Sequence, residues 1–304
     1  MNIIVTDKKY RATSPSILTL GNFDGVHLGH QRILKRVAKR AEQLGLPSVA
    51  YTFEPHPLKV VAPHKSPQLI TTKEEKARLI ASFGIDHLVL ARFTKEFAAK
   101  HPLEFMKDIL VGKLNVREMW VGHDYTFGKG KAGTVEYLKS HEQEFGFKVN
   151  IVPAYKKKGI IVSSSSVRRF IEDGKVEEAA GMLGRPYSIS GKVIKGSKRG
   201  KGLGFPTANI RIEKELIPKN GVYSAYVLLE GREYKGAVSI GHAPTFGGNR
   251  LGVEVHILDF NMCIYGKEIT IKFIKGLREE KTFKNQNLLA VQIKRDIERA
   301  IRSL

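Results

Sequence analysis

At 304 residues the chain is about twice the length of a typical domain, so two separately cored domains are expected. No apolar run approaches the ~20 residues that cross a bilayer, the N-terminal MNIIVTDKKYRAT has no signal-peptide core, and the single cysteine, Cys263, excludes an internal disulfide framework and any cysteine-cluster metal site. The expected compartment is the cytoplasm, with no membrane partner. A net charge of +21 and a pI near 9.9 favour polyanions, whether nucleic acid, acidic headgroups or phosphorylated small molecules. The cations peak at Lys156-Lys157-Lys158 and at 195–201 but form no single dense block, so nucleic acid is not the expected partner.

In chain order, the apolar run 16–20 leads through Gly21-Asn22-Phe23-Asp24-Gly25-Val26-His27-Leu28-Gly29-His30 into an amphipathic helix over 30–44. Ile33, Leu34, Val37, Ala38, Ala41 and Leu44 form its stripe and Gly45 its stop. Further strands are predicted at 48–53, 85–90, 118–121 and 149–152. A helix starts at the capping-box spacing Thr72-Lys73-Glu74-Glu75, and another has Pro102 in its first turn. This alternation predicts a parallel sheet with helices on its faces. One helical stretch over 164–183 closes the first half. Beyond Gly184-Arg185-Pro186, strands at 187–194, 221–229, 234–240, 252–260 and 268–274 predict a closed antiparallel barrel, with a final helix through Leu289, Ile293, Ile297, Ala300 and Ile301 covering one face. The domain boundary falls after Leu183.

Strand, glycine turn and helix mouth in succession make a phosphate-binding surface. The backbone N–H groups and the positive end of the helix face the ligand, and His27 and His30, three apart, share one helix face with Gly29 between them. The chemistry suggested is nucleotidyl transfer, in which a substrate phosphate is the nucleophile and the protein supplies alignment and charge stabilisation. Ser163-Ser164-Ser165-Ser166-Val167-Arg168-Arg169 is a second anion clamp or a plain N-cap with surface arginines. Asp124, after a predicted strand, is a ligand-holding or a turn-forming aspartate, and Thr52-Phe53-Glu54-Pro55-His56-Pro57 is a rigid loop or a substrate wall. Gly128-Lys129-Gly130-Lys131-Ala132-Gly133 fits GxGxxG but lacks its first-strand context, and no Walker A sequence is present.

In the second half, the glycines and cations of 191–204 suit a triphosphate, and Thr207 and Asn209 beyond them offer neutral oxygens to Mg²⁺. Alternation in Val253-Glu254-Val255-His256-Ile257 puts Glu254 and His256 opposite the apolar side chains, so Glu254 is either a general base facing a cavity or a solvent-facing strand charge.

Over nearly its whole length the chain resembles the bifunctional prokaryotic riboflavin kinase and FAD synthetase family. The first half resembles the FMN adenylyltransferase module through GNFDGVHLGH, TFEPHP, GHDYTFG and SSSSVRR. The second resembles the kinase module through GKVIKGSKRGKGLGFPTAN, APTFGG, EVHILDF and IYGKEI. The resemblance implies a Rossmann-like nucleotidylyltransferase domain followed by an antiparallel β-barrel with a C-terminal helix. It implies ATP and Mg²⁺, and riboflavin, FMN and FAD as substrates and products. By the same resemblance His27, His30, Arg168 and Glu254 are catalytic. Gly21, Asn22, Phe23, Gly29, Ser164, Ser165, Gly196, Lys201 and Gly202 bind ATP, Pro55, Pro57, Asp124 and Arg278 bind flavin, and Thr207 and Asn209 hold the metal. Three positions depart from the family pattern: Ser165 for a usual threonine, His123 for a common glutamate and Ala243 for a common asparagine. The alternatives are an adenylyltransferase with a weak or inactive kinase domain, and a nucleic-acid-binding regulatory relative. The sequence is silent on oligomeric state.

Overall fold

The computed structural model describes residues 2–5, 11–196, 204–242 and 251–304. They form two compact units, Met1–Ser163 and Ser164–Leu304.

The first unit contains β1 (Asn2–Val5), β2 (Ser16–Leu20), α1 (Leu28–Leu44), β3 (Ser48–Glu54), α2 (Pro57–Val61), α3 (Lys73–Ala81), β4 (His87–Arg92), α4 (Lys95–Ala98) and α5 (Pro102–Phe105). A π-helical segment (Met106–Val111), β5 (Val116–Gly122), α6 (Val135–Ser140), α7 (Glu142–Phe145), β6 (Lys148–Val152) and the hairpin strands β7 (Lys156–Lys157) and β8 (Ile160–Ile161) follow. Six strands make one parallel sheet in the order β1-β4-β3-β2-β5-β6. The period-2 side-chain alternation divides each strand between two cores. Ile17, Ala50, Leu88 and Leu90 face α1 and α3 through Ile33, Leu34, Val37, Ala77 and Ile80. Leu18, Leu20, Val49, Tyr51, Val89 and Ala91 face Phe105, Met106, Ile109 and Leu110. Burial of each large side chain contributes roughly 1.5–3 kcal/mol, and β2, buried on both faces, carries Ile17 towards one core and Leu18 and Leu20 towards the other.

The topology positions the site. From β2 the chain winds outward through β3 and β4, then returns to place β5 on the other side of β2, so the winding direction reverses between β2 and β5. Ligands of open α/β sheets gather outside the carboxyl ends of strands at such a reversal. The adjacent strands β3, β2 and β5 end there in the segments 55–57, 21–30 and 123–128.

The second unit begins with α8 (Ser164–Glu172) and α9 (Val176–Leu183). The single helical stretch expected over 164–183 is two helices, because Gly174 between them has φ +74 and a Cβ there would come within 2.8 Å of the Tyr223 hydroxyl. The compact units divide before this pair, and α9 packs on barrel strands. The barrel comprises β9 (Tyr187–Ile194), β10 (Ala208–Ile212), β11 (Gly221–Leu229), β12 (Arg232–His242), β13 (Leu251–Ile257) and β14 (Glu268–Glu279), closed in the order β10-β13-β12-β11-β14-β9. Closure leaves no unpaired edge. The last helix, α10 (Gln286–Ser303), is capped by Asn285 and packs on β11, β12 and β14. Asp296 anchors it, accepting from Arg278 Nε at 2.9 Å and Nη2 at 2.8 Å.

Candidate functional site

Residues 21–30 cross the mouth of α1 in a conformation fixed from beneath. The buried Asp24 carboxylate accepts from the Ile70 and Thr71 backbone N–H groups at 3.0 and 3.1 Å and from the Thr71 hydroxyl at 3.2 Å. Gly25 N–H donates to that same hydroxyl at 3.0 Å. These bonds hold a loop in which Phe23 (φ 48), Gly25 (φ 81) and Val26 (φ 41) all lie in the left-handed region.

His27 is the N-cap of α1, its Nδ1 accepting the His30 backbone N–H at 3.3 Å. The two imidazoles stack with centroids 3.7 Å apart and planes 18° from parallel. Gly29 makes this possible, since a Cβ there would come within 3.1 Å of the His27 ring. The Phe23 ring meets His30 edge-on at 5.2 Å, and a Cβ on Gly21 would come within 3.2 Å of the Phe23 ring. Burial, then the neighbouring His27, then Lys76 hold His30 well below the usual histidine range, so it is neutral near pH 7 and keeps one N–H donor. Its Nδ1 is buried and has no hydrogen-bond partner among the described residues. The Asn22 carbonyl accepts from the Thr52 hydroxyl at 3.2 Å and from Lys76 Nζ at 3.4 Å.

The neighbouring strand ends supply the walls. Pro55 follows β3 through a cis Glu54–Pro55 peptide, and Pro57 is the first residue of α2, capped by His56 Nδ1 at 3.3 Å from Leu58 N. Asp124, beyond β5, is exposed, with His123 Nδ1 at 3.9 Å. Tyr125 and Phe127 stack at 5.8 Å, burial raises the Tyr125 phenol far above its usual range, and edge contacts link Phe53, Phe93, Phe97 and Phe105. An apolar aromatic cluster with a few polar groups at its rim suits a planar heteroaromatic ligand. Ser164, Ser165 and Arg168 open α8 in the other compact unit.

In the barrel, strand pairing sets the polar groups. Asn209 on β10 faces Glu254 on β13 across the ladder, and the Thr207 hydroxyl donates to Glu254 Oε2 at 3.2 Å. Val253, Val255 and Ile257 are buried while Glu254 and His256 are only partly so, the expected alternation. His256 Nδ1 lies 2.8 Å from the Pro206 carbonyl. Gly196 is required where it stands: a Cβ there would be 2.0 Å from the Asn209 amide nitrogen. Among the described residues no group of three or more His, Cys, Asp or Glu side chains forms a metal site. The neutral oxygens of Thr207 and Asn209 suit Mg²⁺ carried mainly by phosphates. Lys201, Gly202 and the departure at Ala243 lie outside the described residues. Arg278 is engaged by Asp296 and by the Glu279 carbonyl at 2.9 Å, and its guanidinium lies 5.7 Å from the Phe283 ring centroid.

Sequence reasoning named neither Asp24 nor Lys76 as site residues. The signal for Lys76 is its place on the buried stripe of α3 with Ala77 and Ile80, where a lysine needs a reason.

A helix mouth with two stacked histidines at the sheet reversal, and a barrel whose strands converge hydroxyl, amide and carboxylate, are both arrangements suited to phosphate-bearing substrates, the pattern of a two-module transferase of phosphoryl and nucleotidyl groups. The model of the FAD synthetase family matches residues 9–166 and that of the riboflavin kinase family residues 183–304. A bifunctional riboflavin kinase/FMN adenylyltransferase of Escherichia coli K12 is 37% identical over 281 residues, covering 92% of this chain and 90% of the relative. The enzyme of that name from Listeria monocytogenes is 40% identical over 283 residues, covering 92% and 90%. The chain belongs to the bifunctional riboflavin kinase/FMN adenylyltransferase family. A crystal structure described as a macrolide-efflux protein from Streptococcus pneumoniae superposes with a TM-score of 0.89 at 32% identity, covering 97% of each chain. Among the described residues of this chain no helix is long and apolar enough to cross a membrane.

Proposed function

We propose that the chain carries out two ATP-dependent steps, phosphorylating riboflavin to FMN in the barrel module and adenylylating FMN to FAD, with release of pyrophosphate, in the parallel-sheet module. The functional boundary lies after Leu183 and the reactions occur in the cytoplasm. The observation that carries this reading is the stacked His27–His30 pair at the mouth of α1, where the sheet reverses.

In adenylyl transfer an FMN phosphate oxygen attacks the α-phosphorus of ATP, the bond to the bridging oxygen of pyrophosphate breaks, and no protein nucleophile takes part. His27 and His30 donate hydrogen bonds to the phosphate oxygens. The backbone of Gly21, Asn22, Phe23 and Gly29 lines the approach, and Ser164, Ser165 and Arg168 supply further donors and a positive charge. Such donors act on charge that develops in the transition state. Pro55, Pro57 and Asp124 bound the flavin. Neutrality of His30 supports its role, since two stacked imidazoles cannot both carry charge at low cost.

In the kinase module Glu254 takes the proton of the riboflavin primary hydroxyl as its oxygen attacks the γ-phosphorus of ATP, with ADP leaving. The Thr207 hydroxyl orients that carboxylate. Gly196 borders the triphosphate, and Thr207 and Asn209 would hold Mg²⁺, which when bound would neutralise phosphate charge. Arg278, with its guanidinium on Asp296, borders the flavin by holding β14 to α10 rather than through a free charge.

One assay tests the reading. Purified chain is incubated with Mg²⁺, ATP and either riboflavin or FMN, and the flavins are separated. FMN and FAD are expected from riboflavin, and FAD with pyrophosphate from FMN. Salt-sensitive nucleic-acid binding without flavin turnover would overturn it.

A further inference from the structure

Lys76 is only 8% exposed, on the α3 stripe that packs against the sheet. An ammonium has three donors, yet among the described residues its Nζ makes one hydrogen bond, the long one of 3.4 Å to the Asn22 carbonyl, and no ion pair. Glu54 and Asp24 act on it through their charge alone, neither forming an ion pair with it among the described residues, and Asp24 accepts from the Ile70 and Thr71 N–H groups. The Asp24 bonds and the capping box of Thr72 and Glu75 tie the start of α3 to the loop 21–30, so the fold holds this under-satisfied cation against the backbone of the candidate nucleotide site. Buried charges are normally paired and fully hydrogen-bonded; this one has ammonium donors left over beside the loop to which the proposed function assigns the substrate phosphates. Burial lowers the affinity of the amine for its proton, Glu54 and Asp24 oppose that, and the charge is one cause of the neutrality of His30.

We infer that Lys76 is a further substrate-contacting residue of the adenylyl-transfer site, completing its hydrogen bonds with a phosphate oxygen of the ATP triphosphate or of the FMN monoester. The inference rests on the proposed function of the first module. It assigns a role to a buried cation that the His27–His30 chemistry leaves unused.

The test uses the full chain with Lys76→Met, which keeps length and removes charge, and Lys76→Arg, which keeps charge. For Lys76→Met, kcat/KM for FAD formation falls about tenfold or more, as loss of a charged hydrogen bond implies. Riboflavin phosphorylation is unchanged, and Lys76→Arg recovers part of the loss. A raised KM for ATP assigns the triphosphate, and a raised KM for FMN alone assigns the monoester. Independently of turnover, inorganic pyrophosphate raises the melting temperature of the wild type and does so less for Lys76→Met. Unchanged FAD kinetics together with an unchanged pyrophosphate shift would overturn the inference and leave Lys76 a latch on the Asn22 carbonyl. A wild type that makes no FAD from supplied FMN would instead sink the reading of the module, while the pyrophosphate shift would still report whether Lys76 meets an anion.

Discussion

In the parallel-sheet unit the polar groups around the candidate site are buried: Asp24 is 4% exposed, His27 6% and Lys76 8%. In the barrel, Glu254 on β13 and Thr207, the residue before β10, stay half-buried, and the β10–β13 ladder together with the Thr207–Glu254 hydrogen bond sets their separation. The first site is therefore part of its own core, and the second is an attachment to a scaffold that closes without it. Side-chain changes in the first should alter folding and chemistry together, whereas in the second they should alter chemistry alone.

The largest effect tests the barrel half of that contrast. Glu254→Gln, an isosteric loss of the base, should slow riboflavin phosphorylation by about 10²–10⁴-fold, leave adenylylation of supplied FMN within about twofold and leave the melting temperature unchanged. His30→Ala should slow FAD formation by about 10²–10³-fold while FMN formation from riboflavin continues, as product separation would read; a matching loss of both activities would point to damage beyond the site. Asp24→Ala strands the Ile70 and Thr71 N–H donors in a buried setting, so denaturant unfolding of the first unit should show a loss of about 2–4 kcal/mol along with the loss of FAD formation. An unchanged stability would erase the contrast between the two sites.

The smallest effect is a pH dependence. Because the folded protein holds His30 below its usual range, the unfolded chain binds the extra proton first as pH falls. The stability linked to this group is complete above about pH 6.5 and is lost below it, with a slope approaching about 1.4 kcal/mol per pH unit. The melting temperature of His30→Gln should therefore decline less between pH 7.5 and 5 than that of the wild type. Parallel curves would contradict the buried, neutral histidine.

Elements that carry their own local signal were readable. The stripe and glycine stop of α1 and the capping box of α3 appear in the structure as the pattern dictates, with Gly45 in the left-handed region at φ 62 and both halves of the Thr72–Glu75 box formed. So do β9 and β11. Elements defined by their partners were not. The strand β10 is five residues emerging from a glycine-rich basic run, and it is a strand because β9 and β13 flank it. β1 is a short edge strand made by pairing with β4. The break between α8 and α9 was signalled by Gly174, whose φ of +74 no other residue adopts easily. At the site, the His27–His30 spacing was legible because three residues along a helix share a face. Lys76 was not, because a lysine in a Glu-rich first turn reads as solvated surface until α3 is packed on the sheet. Nor was the commitment of Arg278, whose partner Asp296 reaches it only when α10 folds back over β14.

The central claim is that two separable sites act in sequence through a released FMN. The most direct measurement gives riboflavin, ATP and Mg²⁺ to His30→Ala, to Glu254→Gln and to their mixture, and follows FAD. Neither variant alone should form it at an appreciable rate, His30→Ala should accumulate FMN, and the mixture should make FAD because FMN passes from one molecule to the other. A mixture as inactive as its parts, or FAD from His30→Ala alone, would contradict the account.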